Sequence, residues 1–139
     1  MHMSQTNHPT PAHPHTTTKV APLLLALGVA CGAFGAHALK DTVPPADLAI
    51  WEKAVLYHLV HSLAILVVAG LPATVPIAAK NRISWILLLS ILIFSGTLYG
   101  LVLSNQRWLG AITPIGGSGF ILAWALLSIA LMRAKKSPL

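Results

Sequence analysis

Four stretches of the chain, residues 20 to 39, 54 to 71, 83 to 103 and 109 to 132, contain no Asp, Glu, Lys or Arg and are dominated by aliphatic side chains. Each is close to the ~20 residues that an α-helix needs to cross a hydrocarbon core about 30 Å thick. A backbone in lipid has no water to bond with, so it must satisfy its own N–H and C=O groups as a helix or a closed barrel. These runs lack the alternation of barrel strands. The chain therefore reads as all-α, a four-transmembrane-helix bundle. Every formally charged residue falls in the gaps, and 9% charged overall is far below the roughly 25% of a soluble domain. A net charge of +6 on a soluble protein would point to nucleic acid. Here the basic residues lie between apolar runs, membrane lipids are the expected surroundings, and nucleic acid is not an expected partner.

Basic residues flanking the spans set the orientation. Lys19, Lys80, Arg82, Arg133, Lys135 and Lys136 fall on one side, and Lys40, Lys53 and Arg107 on the other. The larger group, with both termini, is expected in the cytoplasm. All three acids, Asp41, Asp47 and Glu52, go to the outer side. Pro44-Pro45 followed by Asp47 reads as a stop and then a helix start, so the second helix is expected over 47–71, with Trp51 anchoring the interface. Thr113-Pro114 resembles an N-cap with Pro at the first helical position, which divides the fourth helix from an irregular outer cap over 108–113. Residues 1–18 are a tail of His, Pro and Thr with nothing to bury, expected to be disordered. Residues 19–134 form the membrane domain and 135–139 a basic tail. Ala36-His37-Ala38 imitates a signal-peptide cleavage site, but the apolar run continues through it. Cys31 is the single cysteine and has no partner for an internal disulfide.

Lipid supplies no hydrophobic force between helices, so small residues mark the faces that meet. Gly28, Gly32 and Gly35 lie within about 60° of one another at 100° per residue. Gly96 with Gly100, and Gly119 with Ala123, repeat the spacing, and Gly116 and Gly117 thin the surface of the fourth helix. Ionisable and polar groups within or beside spans are site candidates by default. His37, Tyr57, His58, His61, Ser95, Tyr99, Arg107 and Thr113 are all expected towards the outer ends of the helices, where one polar cluster would draw on all four. Glu52 lies nine residues before His61 and points about 180° away from it, so one-helix metal ligation by Glu52, His58 and His61 is disfavoured. Three readings of the cluster stay open. Its groups hydrogen-bond one another and fix helix register, they line a pocket for a quinone, lipid or substrate, or His37 and His61 hold haem or another metal. P-loop, nucleophile-elbow and HExxH motifs are absent, and no catalytic residue is assigned.

The blocks Gly32-Ala33-Phe34-Gly35-Ala36-His37, Tyr57-His58-Leu59-Val60-His61-Ser62-Leu63-Ala64, Phe94-Ser95-Gly96-Thr97-Leu98-Tyr99 and Arg107 through Gly117 resemble the YgdD-like family of small bacterial inner-membrane proteins. That family is also known as domain of unknown function 423 and is similar to an animal transmembrane protein 256. The resemblance spans about residues 20 to 134 and leaves the His-rich tail outside. It implies a four-helix protein of the bacterial inner (cytoplasmic) membrane without an established activity. Its pattern falls on His37, Tyr57, His61, Ser95, Gly96, Tyr99, Arg107, Trp108, Thr113, Pro114, Gly116 and Gly117, while at position 58 many members have Gln where this chain has His58. The leading expectation is a non-enzymatic accessory protein that packs against itself or another membrane complex through its small-residue faces. The alternative is a binder or carrier of a lipophilic or redox ligand such as a quinone, a lipid or haem. A transporter is a third and thinner reading, since the spans carry no charge.

Overall fold

A computed structural model describes residues 16–134. The tail expected over 1–18 lies outside the described residues except for Thr16–Thr18, which form the first turn of a helix, and so does all of 135–139. The chain folds as α1 (Thr16–Phe34), a π-helical turn (Gly35–Leu39), α2 (Pro45–Ala69), α3 (Ile77–Ser104), a 3-10 turn (Arg107–Ala111) and α4 (Thr113–Arg133). Among the described residues there is no strand. With their flanking turns, the four apolar segments run to 24, 25, 28 and 27 residues. At 1.5 Å per residue these are about 36–42 Å long, enough to cross a ~30 Å core and reach into both interfaces.

The helix ends show why the structured segments outrun the uncharged stretches. α3 begins at Ile77 rather than near residue 83 because its first turns hold Lys80 and Arg82. A charge near a helix end reaches water or a free carbonyl without entering the core. The Lys80 ammonium donates to the Leu71 carbonyl, a group left free past the end of α2. Asn105, in the left-handed region at φ 56°, ends α3 and turns the chain into the 3-10 segment, so α4 returns antiparallel to α3. Thr113 is not the N-cap. That place falls to Ile112, and the Thr113 hydroxyl bonds instead to the Thr97 hydroxyl at 2.9 Å.

The helices are not a symmetric ring. α3 packs along α2 on one side and along α4 on the other, while α1 lies mainly on α2. The principal core runs from Ala21 and Leu24 through Ile65, Val68, Ile83, Leu87 and Ile91 to Phe120, Ala123 and Leu127. Outward residues such as Ile121 and Met132, 73% and 75% exposed, form the surface offered to lipid. Two glycine faces set the spacing. On α1, a Cβ at Gly35 would come within 2.6 Å of the Trp51 ring, one at Gly32 within 3.4 Å of Val55, and one at Gly28 within 2.6 Å of Leu59. On α4, a Cβ at Gly116 would stand 2.5 Å from the Phe94 backbone nitrogen, and one at Gly119 would collide with the Ser90 hydroxyl. A Cβ at Gly100 would come within 3.2 Å of Leu109, whereas one at Gly96 would meet nothing within 4 Å, so Gly96 is not a packing glycine despite its spacing.

The two glycines predict opposite outcomes. Gly116→Ala forces α3 and α4 apart and is expected to cost about 1–3 kcal/mol, the range for overpacking. Gly96→Ala is expected to be neutral or to stabilise by roughly 0.5–1 kcal/mol through helix propensity alone. Thermal unfolding of the two variants in the same detergent measures the contrast.

Candidate functional site

α4 touches α3 along its length but reaches α2 only through side chains. The gap between α2 and α4 is therefore a cleft of about 550 Å³, floored by Phe94 of α3. Its walls follow from helical spacing. Tyr57 and His61 are four apart on α2, and Gly117, Phe120, Ile121 and Trp124 recur at i, i+3, i+4 and i+7 on α4. The Gly116 contact holds the α4 backbone on Phe94, and at Gly117 the absent side chain leaves the Phe94 ring open to the cleft.

The rings stack. His61 lies on Phe120 with centroids 3.5 Å apart and planes 16° from parallel, and Tyr57 lies on Phe94 at 4.6 Å and 25°. Trp124 Nε1–H donates to His61 Nε2 at 3.3 Å, and His61 Nδ1 meets the Tyr57 carbonyl at 2.8 Å. A donor on one nitrogen and an acceptor on the other assign the His61 proton to Nδ1. The Tyr57 phenol lines the same cleft, partly exposed, and makes no hydrogen bond among the described residues. What the cleft offers chemically is a flat stacking surface and a few directional polar groups in an otherwise apolar groove.

The polar residues expected to form one cluster separate into distinct contacts. At the end of the molecule that carries the 3-10 turn, the two terminal guanidinium nitrogens of Arg107 donate to the Asp47 carboxylate, at 2.6 and 2.8 Å, with the arginine side chain 56% exposed and the aspartate 9%. Deeper, Trp51 Nε1–H donates to the Cys31 carbonyl at 2.8 Å, one turn before the π-helical segment changes the bonding register. The Tyr99 ring packs on Trp51 at 4.6 Å, and its hydroxyl is 3.3 Å from His58 Nδ1. Ser95 donates across the α2–α3 contact to the Ala54 carbonyl at 2.8 Å, and Thr113 bonds to Thr97. His58 and His61 are both buried but serve different neighbours: His58 packs against α1 at Gly28 and Tyr99 of α3, and His61 packs against α4.

His37 is exposed on the π-helical turn and does not join these groups. The glycine contacts set α1 against α2 with Gly35 at Trp51, ten residues or about 15 Å along α2 from His61. Haem or metal ligation shared by His37 and His61 does not fit that register. Among the described residues no three His, Cys, Asp or Glu side chains converge. His61 is also deeper than expected, 16 residues or about 24 Å beyond the start of α2 at Pro45, so the cleft sits at mid-depth and not at an outer rim.

Sequence reasoning passed over Phe94, Phe120, Trp124 and Asp47. Trp124 carried a signal: tryptophan gathers at membrane interfaces, so one in the middle of a span needs a partner for its N–H. Asp47 was read as a helix-start residue alone, although it and Arg107 were assigned to the same side.

A model of the family described as "Protein of unknown function (DUF423)" matches residues 31–117. The chain belongs to the DUF423 family. The DUF423 match takes in Tyr57, His61, Phe94, Asp47, Arg107 and Gly117, and Phe120 and Trp124 lie beyond its end. Among relatives, a UPF0382 membrane protein of Staphylococcus epidermidis is 45% identical over 107 residues, covering 77% of this chain and 87% of the relative. The UPF0382 membrane protein YwdK of Bacillus subtilis is 40% identical over 111 residues, covering 79% and 89%. A further UPF0382 membrane protein from Staphylococcus aureus is 43% identical over 104 residues, covering 75% and 84%. No solved structure matches. With four apolar helices, this DUF423 chain is a multi-pass membrane protein of uncharacterised activity.

Trp51→Phe removes the indole donor to the Cys31 carbonyl and leaves part of the space against Gly35 unfilled. The expected loss is about 1–2 kcal/mol of stability. Trp85→Phe, at a half-exposed lipid-facing position, is expected to stay within about 0.5 kcal/mol. Near-ultraviolet circular dichroism melts of both variants in one detergent check the difference.

Proposed function

We propose that this DUF423 protein is a non-catalytic membrane protein that binds a lipid-soluble molecule with a flat, oxygen-bearing ring, of the quinone class, in the cleft between α2 and α4. The observation that carries this reading is the cleft itself: about 550 Å³, walled by the stacked rings of Tyr57, His61, Phe94 and Phe120. That volume lies within the range of small-molecule sites, which are mostly apolar with a few placed polar groups. The Tyr57 phenol supplies a free donor for a ring oxygen, and the bonds from Trp124 to His61 and from His61 to the Tyr57 carbonyl hold the imidazole in its stacked orientation. Leu56, Val60 and Ile121 at the lips are exposed to lipid, where an isoprenoid or acyl tail lies without desolvation cost.

The accessory-protein reading rested on small-residue faces available to a partner. Most of those faces are occupied within the fold, Gly28, Gly32 and Gly35 by α2 and Gly116 and Gly119 by α3, while Gly96 has nothing opposite it. Gly117, half-buried against the Phe94 ring, belongs to the cleft.

Titrating the full-length protein in mild detergent with a short-chain naphthoquinone is expected to quench tryptophan emission and raise the melting temperature. Trp124→Phe should remove most of the quenching, because Trp51, Trp85 and Trp108 do not line the cleft. Tyr57→Phe should weaken binding about five- to tenfold, the worth of one net hydrogen bond, and His61→Leu should weaken it about two- to tenfold through loss of the stacking ring. Emission and melting unchanged up to the solubility limit, together with a quinone-free organic extract of the purified protein, would overturn the proposal.

A further inference from the structure

A second cavity, of about 560 Å³, lies between α3 and α4 at the opposite end of the molecule from the Asp47–Arg107 pair. Its mouth carries Arg82, in the second turn of α3, and Arg133, the last residue of α4, with Thr74 of the α2–α3 connection beside them. Its floor is aliphatic: Ile83, Leu126 and Ile129. Two helices thus each bring one exposed guanidinium to the rim of one greasy hollow.

Among the described residues, the charges around this cavity lack carboxylate partners. All three acidic side chains of the chain, Asp41, Asp47 and Glu52, lie between α1 and the second turn of α2, at the far end. The one salt bridge among the described residues joins Arg107 to Asp47. Lys80, close by in sequence, is buried with its ammonium on the Leu71 carbonyl and is not free to neutralise a ligand. Among the described residues, Arg82 and Arg133 are left as an uncompensated pair over an apolar floor, near the ends of two helices long and apolar enough to span a membrane. A planar guanidinium binds a phosphate with two parallel hydrogen bonds, and basic pockets between helices at this level suit anionic lipid headgroups.

We infer that this cavity is a binding site for an anionic glycerophospholipid, its phosphate held between Arg82 and Arg133 and an acyl chain running down the aliphatic floor. The apolar floor commits the occupant to a lipid, since free phosphate would leave that surface in water. The site is separate from the α2–α4 cleft and does not depend on what the cleft binds.

The test uses the full chain in nanodiscs of phosphatidylcholine alone or with phosphatidylglycerol added. Phosphatidylglycerol is expected to raise the melting temperature of the wild type and to be enriched over phosphatidylcholine among lipids retained on gentle detergent extraction and native mass spectrometry. Arg82→Gln and Arg133→Gln should each reduce that enrichment about five-fold, the effect of one basic residue at an anionic surface. The double variant should lose it while melting like the wild type in phosphatidylcholine. Arg82→Lys with Arg133→Lys should retain part of the preference, and Lys19→Gln, which removes a basic residue at the same end but outside the cavity, should retain all of it. Equal retention of the two lipids by the wild type, or enrichment that survives the double Gln variant, would overturn the inference. So would inorganic phosphate alone reproducing the stabilisation in phosphatidylcholine discs, which would assign the arginines to a free anion.

Discussion

The contact between Gly116 and the backbone of Phe94 sets the geometry on which the rest depends. Lipid surrounds an isolated helix as comfortably as a neighbouring helix does, so association is decided by how closely backbones approach. At Gly116 a single Cβ would intrude to 2.5 Å, and its absence lets α4 lie directly on α3. With α4 held there, it stands away from α2, and the space between has to be crossed by side chains. Rings cross it economically, since they cover a large area with little rotamer entropy to lose. The cleft is a consequence of one tight helix pair beside a looser one.

The polar groups divide according to depth. Near one end the Asp47–Arg107 pair ties the start of α2 to the 3-10 turn, with the arginine still wet, so it acts more as a register clasp than as a large source of stability. In the apolar interior, charged pairs give way to neutral hydrogen bonds onto backbone carbonyls, at Cys31, Ala54 and Tyr57. Each fixes one helix against another or orients a ring. The opposite end holds basic side chains and no acidic ones, so the electrical asymmetry of the sequence survives as a physical polarity of the folded chain.

How much of this was legible follows from what a linear pattern encodes. The spans were readable because lipid imposes a minimum apolar length. Their true ends were not, because Lys80 and Arg82 belong to α3 while interrupting its hydropathy. The face shared by Gly28, Gly32 and Gly35 was readable from 100° arithmetic. The same arithmetic misled at Gly96, because spacing tells which residues share a face and is silent on what stands opposite. Tyr57 and His61 were found as candidates. Their partners Phe120 and Trp124 were not, since an aromatic residue in an apolar helix looks like any other core residue until the neighbouring helix is placed. The expected meeting of His37 with His61 failed for a related reason: both were placed near one rim, whereas Gly35 packs at Trp51 and leaves His61 ten residues further along α2.

The cleft opens sideways, through lips formed by Leu56, Val60 and Ile121, and its mouth faces hydrocarbon instead of water. Any occupant therefore arrives by two-dimensional diffusion within the leaflet, and occupancy tracks its mole fraction among the lipids and not its aqueous concentration. Partitioning does part of the work of concentrating it, so weak intrinsic affinity can still give substantial filling in a native bilayer. The same compound will look like a poorer ligand as micelles dilute it.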